Sequence, residues 1–130
     1  MKNPYLGYQK TIDFYDCDTH IINDCDIIET TLLEAAKIME LTVVNTTIHS
    51  FSPIGVSGVI VIKESHIAIH TWPEHGYVAI DIFTCSPDHT LDNGISFLQE
   101  RFKASRITQK EILRGDLSQI KNTNPIKNEF

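Results

Sequence analysis

Val59-Ile60-Val61-Ile62-Lys63-Glu64-Ser65-His66-Ile67-Ala68-Ile69-His70-Thr71-Trp72-Pro73-Glu74-His75-Gly76-Tyr77-Val78-Ala79-Ile80-Asp81-Ile82-Phe83-Thr84 is the stretch from which the fold is read. Val59 to Ile62 is a β-branched run. Ser65 to Thr71 and Tyr77 to Thr84 read as two further strands. Trp72-Pro73-Glu74-His75-Gly76 lies between them with the proline and glycine of a turn, so the pair is expected to form a hairpin. Upstream, Thr42 to Phe51 reads as a strand ended by Pro53 and Gly55, and Thr11 to Tyr15 reads as the first strand. Asp26, followed three residues later by Glu29, reads as an N-cap and capping box. The helix it opens carries Ile28, Leu32, Ala35, Ala36 and Met39 at helical spacing. Downstream, Leu91 to Ser105 reads as a second helix with Ile95, Leu98 and Phe102 inward. Arg106 to Leu113 reads as a last strand, and the tail from Gly115 as irregular.

Strands grouped with two helices predict an α+β fold, a two-layer sandwich of an antiparallel sheet with two helices on one face. One helical layer leaves the other sheet face in need of cover, a role open to a second subunit. The 130 residues suit a single domain, 1–130, with one core. A net charge of -6 argues against a nucleic-acid partner, which would require clustered Lys and Arg. No run approaches the ~20 apolar residues of a membrane span, and the N-terminus lacks a signal-peptide stretch. Three cysteines without metal spacing fit a reducing compartment, so a cytoplasmic protein is expected. No metal is expected either. His66 and His70 share a strand face but stand about 13 Å apart, too far for one ion. His20, His75 and His89 have no partner at ligand spacing. Asp16-Cys17-Asp18 and Asp24-Cys25-Asp26 lack the later ligands and glycine of a calcium loop, and Cys17 and Cys25 read as packing residues.

The block from Gly55-Val56-Ser57-Gly58 through Glu64-Ser65-His66-Ile67-Ala68-Ile69-His70-Thr71-Trp72-Pro73-Glu74 to Asp81-Ile82-Phe83-Thr84-Cys85 closely resembles the prokaryotic S-adenosylmethionine decarboxylase proenzymes. The resemblance covers about residues 7 to 115. It implies pyruvoyl-dependent decarboxylation of S-adenosylmethionine, giving the aminopropyl donor for spermidine synthesis. Loss of carbon dioxide from an α-amino acid leaves a carbanion that needs an electron sink. Nothing in the chain resembles a pyridoxal phosphate site, so a sink made from the backbone suits it. The resemblance implies autocatalytic cleavage between Glu64 and Ser65, giving a β chain, Met1 to Glu64, and an α chain, 65–130. The Ser65 hydroxyl attacks the Glu64 carbonyl to form an ester. Loss of the Ser65 α-proton then expels the Glu64 carboxylate and leaves dehydroalanine, whose tautomerisation and hydrolysis release ammonia and leave a pyruvoyl group able to form a Schiff base with the substrate amine.

By the same resemblance His70 is the base for processing, Ser57 helps hold the intermediate, and Cys85 is the proton donor in decarboxylation. Glu74 matches an acid that binds the ribose hydroxyls of the substrate, and Phe51 an aromatic that stacks on its adenine. With a hairpin centred near residue 75, Ser65 and Cys85 fall almost opposite one another, within reach in one chain. His70 lies five residues along the strand from Ser65, roughly 16 Å. Either the strand bends sharply or His70 comes from a neighbouring subunit, and the resemblance implies the second, a homodimer of processed protomers with active sites at the subunit interface, where His70, Ser57 and Glu74 act on the partner's Ser65. Many members read Gly-x-His-Leu where this chain has Gly7-Tyr8-Gln9-Lys10. Relatives with the same machinery act on arginine or ornithine, which is the alternative substrate reading. The alternative of another class is a non-catalytic binding or regulatory homologue.

Overall fold

Tyr5–Tyr15 forms β1, paired on one side along nearly its whole length and on the other from Tyr8 to Phe14, and this double pairing organises the computed structural model. The structure describes residues 4–63, 65–85 and 90–121. After β1 come α1 (Thr19–Ile22), α2 (Cys25–Ile38), β2 (Val43–Ser50), β3 (Val56–Ile62) and β4 (Ser65–Trp72). A short 3₁₀ turn, Pro73–His75, leads to β5 (Tyr77–Thr84), then α3 (Thr90–Phe102) and β6 (Arg106–Asp116). The six strands form one sheet in the order β2-β3-β4-β5-β1-β6, with every pairing antiparallel.

One face of the sheet is apolar because its strands alternate. Ile12, Phe14, Ile60, Ile62, Ile67, Ile69, Val78, Ile80 and Ile82 are buried together against Ile28, Leu32, Ala35 and Ala36 of α2 and Leu91, Ile95, Leu98 and Phe102 of α3. Phe14 and Phe102 meet edge to face, their centroids 5.3 Å apart. The expected α+β sandwich with two helices on one face is the observed architecture. The core residues expected of both helices, Met39 included, are all buried.

Several boundaries differ from expectation. The N-cap of α2 is Asp24 rather than Asp26, since the Asp24 carboxylate accepts from Asp26 N and Ile27 N at 3.0 and 3.1 Å. Asp26 instead lies in the first turn, where its charge meets the positive end of the helix. Asp18 likewise accepts from His20 N and Ile21 N to cap α1, a helix the pattern did not announce. Each Asp-Cys-Asp repeat thus contributes one cap. β1 begins six residues earlier than expected, because Tyr5 and Gly7 are drawn into pairing with Asp116 and Arg114. By the same pairing β6 runs on through Gly115 to Asp116, and Leu117–Gln119 adds a 3₁₀ turn where an irregular tail was expected. The second helix ends at Phe102, short of Ser105.

Candidate active site

The sheet face away from the helices carries the chemistry. Ser57 of β3 pairs directly with His70 of β4, and the register turns both side chains to this open face. Ser57 Oγ and His70 Nδ1 share a 2.9 Å hydrogen bond. From His70 a row of rings crosses the strands. His70 lies 6.1 Å from Trp72, Trp72 stacks on Tyr77 at 5.2 Å, and Tyr77 stacks on Tyr15 at 5.5 Å. The Arg106 guanidinium covers Tyr15 at 4.3 Å. Tyr15, Trp72, His75 and Tyr77 line a hollow of about 440 Å³. The Tyr77 hydroxyl donates to Asp13. Burial and that carboxylate together push the phenol pKa well above its ordinary value.

Phe51 and Glu74 stand at this same end of the sheet. Phe51 follows β2 with its ring half exposed and in edge contact with His49 at 4.5 Å. Glu74 is exposed in the turn after β4. Phe51, Ser57, His70 and Glu74 are therefore gathered where β4 ends. Ser65 opens β4 at its other end, and Cys85 directly follows β5 there. Glu64, the residue expected on the other side of the cut, lies outside the described residues, as does His89.

Five residues of extended chain separate Ser65 from His70 by roughly 16 Å. Their facing separates them too. Ile67, Ile69 and Thr71 are buried toward the helices, and Ser65 shares their parity, whereas His66, His70 and Trp72 take the other face. The register also refines the expected Ser65–Cys85 pairing. His66 lies opposite Phe83, so the ladder carried one step further aligns Ser65 with Thr84, and Cys85 falls one residue beyond. The two residues are neighbours at one sheet end rather than directly opposed.

Two groups of residues at this face gave no signal in the sequence analysis. His66 stacks on Phe83 at 5.8 Å, and the Phe83 ring lies across Gly7. A Cβ at Gly7 would stand 2.5 Å from Phe83 Cζ, so any other side chain there has to displace the ring. The other group is the aromatic row itself, which counting across the hairpin from Trp72↔Tyr77 would have found. The departures at positions 9 and 10 have local partners. Arg114 donates to Gln9 Oε1 at 2.8 Å, and Lys10 forms a 2.9 Å ion pair with Asp92 of α3. Among the described residues no cluster of His, Cys, Asp and Glu could hold a metal ion, and no helix is long and apolar enough to cross a membrane. Cys17 is buried, and that burial, with the neighbouring Asp16 charge, pushes its thiol pKa up to about 11.

Comparison with known proteins shows the family and the fold. Residues 8–115 match the family model described as S-adenosylmethionine decarboxylase. A protein of Acidithiobacillus ferrooxidans named S-adenosylmethionine decarboxylase proenzyme is 43% identical over 115 residues, covering 88% of this chain and 86% of that one. A protein of the same name from Acetivibrio thermocellus is 46% identical over 110 residues, covering 85% and 89%. The crystal structure of the adenosylmethionine decarboxylase from Aquifex aeolicus superposes with a TM-score of 0.82 at 29% identity, over 93% of this chain and all of that one. The Trypanosoma brucei AdoMetDC-delta26 monomer shares the fold, with a TM-score of 0.59 at 17% identity over 78% of this chain and 44% of that one. With a family match over residues 8–115 and relatives this similar along most of their length, the chain belongs to the S-adenosylmethionine decarboxylase family, a family of enzymes.

Proposed function

We propose that the chain cuts itself between Glu64 and Ser65 and, with the pyruvoyl group so formed, decarboxylates S-adenosylmethionine as a cytoplasmic homodimer. The relatives' names support the substrate, and the word proenzyme in them is consistent with activation by cleavage. The observation that carries the reading is the hydrogen-bonded Ser57–His70 pair, held on an uncovered sheet face about 16 Å along the strand from Ser65. A base that far away is of no use to its own chain. A twofold axis that sets the β4 end of one subunit against the β4 start of its partner joins the two halves at the end of the sheet. His70, Ser57, Phe51 and Glu74 of one protomer then complete the site begun by Ser65 and Cys85 of its partner. Exposed Val59, Val61 and Trp72 on this face supply apolar surface for that contact.

In processing, the Ser65 hydroxyl attacks the Glu64 carbonyl to form an ester, Ser57 donates to the oxyanion, and His70 removes the Ser65 α-proton so that the Glu64 carboxylate is expelled and dehydroalanine is left. Ser65 is the first residue of β4, which supports a cut just before it, since the change then leaves the strand's pairing in place. The pyruvoyl group supplies an electron sink for the carbanion left by carbon dioxide. Phe51 stacks on the adenine, Glu74 holds the ribose hydroxyls, and the Cys85 thiol returns a proton to the substrate carbon. The test is carbon dioxide release by purified protein from carboxyl-labelled S-adenosylmethionine, arginine and ornithine, each offered separately. Release from S-adenosylmethionine alone is expected. Release from either amino acid instead overturns the substrate, and a single uncut band on a denaturing gel without release overturns the enzyme.

A further inference from the structure

Phe51 is half exposed, yet the loop that carries it is tied down at three points, and one tie comes from a residue far away in the sequence. The loop closes on itself where Phe51 N–H donates to the Gly55 carbonyl at 2.8 Å. Val56 N–H, the next amide, donates to Thr71 Oγ1 at 2.9 Å in a buried contact beside His70. The Gly55 N–H, in turn, donates to Asn23 Oδ1 at 2.9 Å across 32 residues of sequence. Gly55 has φ +113°, a backbone region that L side chains rarely adopt, so the direction of its N–H is fixed by the turn. Asn23 is itself held, as the C-cap of α1 and the residue before the Asp24 cap of α2.

We infer that Asn23 is a positioning residue for substrate binding, acting through Gly55 to fix the height of the Phe51 ring. The inference rests on the reading that Phe51 stacks on the adenine. Gly55 links the two ends of the chain of contacts: its carbonyl holds the Phe51 amide and its amide is held by Asn23. Loss of Asn23 Oδ1 leaves that amide to water and lets the loop move relative to the helical layer. The Ser57–His70 pair keeps its own anchor through Thr71. The effect therefore falls on binding of the adenine end and leaves self-cleavage alone.

The test measures kcat and KM for S-adenosylmethionine, inhibition by 5′-methylthioadenosine (an adenine nucleoside without the amino-acid end), and the extent of self-cleavage. Asn23→Ala is expected to cleave fully and keep the wild-type kcat. Its KM and the nucleoside inhibition constant should both rise about threefold to tenfold, the size expected when one net hydrogen bond is lost. Asn23→Asp retains an acceptor oxygen and should restore both constants. An unchanged KM in Asn23→Ala overturns the inference. So does a loss of kcat, cleavage and melting temperature together that Asn23→Asp fails to restore, since that marks a purely structural contact. Phe51→Ala separates this failure from failure of the underlying reading. If Phe51→Ala leaves the nucleoside constant unchanged, the stacking role is wrong. If it raises the constant while Asn23→Ala does not, only the tie is wrong.

Discussion

Co-expressing a Ser65→Ala chain with a His70→Ala chain, each with its own affinity tag, tests the shared site directly. The magnitude follows from the strand. Ser65 and His70 are about 16 Å apart along β4, whereas proton abstraction needs hydrogen-bond contact of about 3 Å. Closing that gap within one subunit would require β4 to leave its partners, since His70 is paired to Ser57 on one side and Ala79 on the other. In a doubly tagged dimer with a twofold axis, one site combines intact Ser65 with intact His70 and the other combines both substitutions. One functional site in two gives about half the wild-type activity per dimer. On a denaturing gel the His70→Ala chain should be cut and the Ser65→Ala chain should stay whole, while each homodimer remains uncut. An uncut His70→Ala chain in a confirmed mixed dimer refutes the shared site, as does full cleavage of the His70→Ala homodimer.

Three further outcomes follow from the packing and the ionisable groups. Phe102→Ala removes a fully buried ring that meets Phe14 edge to face, and should lower unfolding free energy by about 3–5 kcal/mol in urea titration. Gly7→Ala places a methyl against the Phe83 ring, and should cost about 1–3 kcal/mol by the same assay while separating His66 from Phe83. The buried Cys17 thiol has a pKa of about 11 against an ordinary 9.0, so the unfolded chain releases that proton first. Stability should thus fall as pH rises from about 9 towards about 11 and level off beyond, and Cys17→Ala should remove that part of the slope in urea titrations across the range.

The turn residues Trp72-Pro73-Glu74-His75-Gly76 between two strand-like runs were enough to place the central hairpin, because a hairpin is decided by residues close together in the chain. Helix faces were equally legible, since Ile28, Leu32 and Ala35 recur at helical spacing and all end in the core. Features set by distant partners were not. β1 extends to Tyr5 because β6 lies beside it, and no local preference in Tyr5 to Lys10 announces that neighbour. The choice between Asp24 and Asp26 as cap depends on which residue first adopts helical dihedrals, and both have the right side chain. In the site, the Ser57–His70 pair follows from antiparallel register once the strands are known, but the offset of Cys85 by one residue needed the actual ladder. The bond from Asn23 to Gly55 left no trace in the sequence, because a side chain meeting an amide 32 residues away has no periodicity to reveal it.

The most direct measurement is the intact mass of freshly purified protein, read before any substrate is added. Two polypeptides should appear, one ending at Glu64 and the other beginning at position 65, the latter lighter than its serine-initiated sequence by the change from a serine amino terminus to a keto group. Finding only the uncut chain of 130 residues, or a second fragment that still begins with serine, would contradict the account.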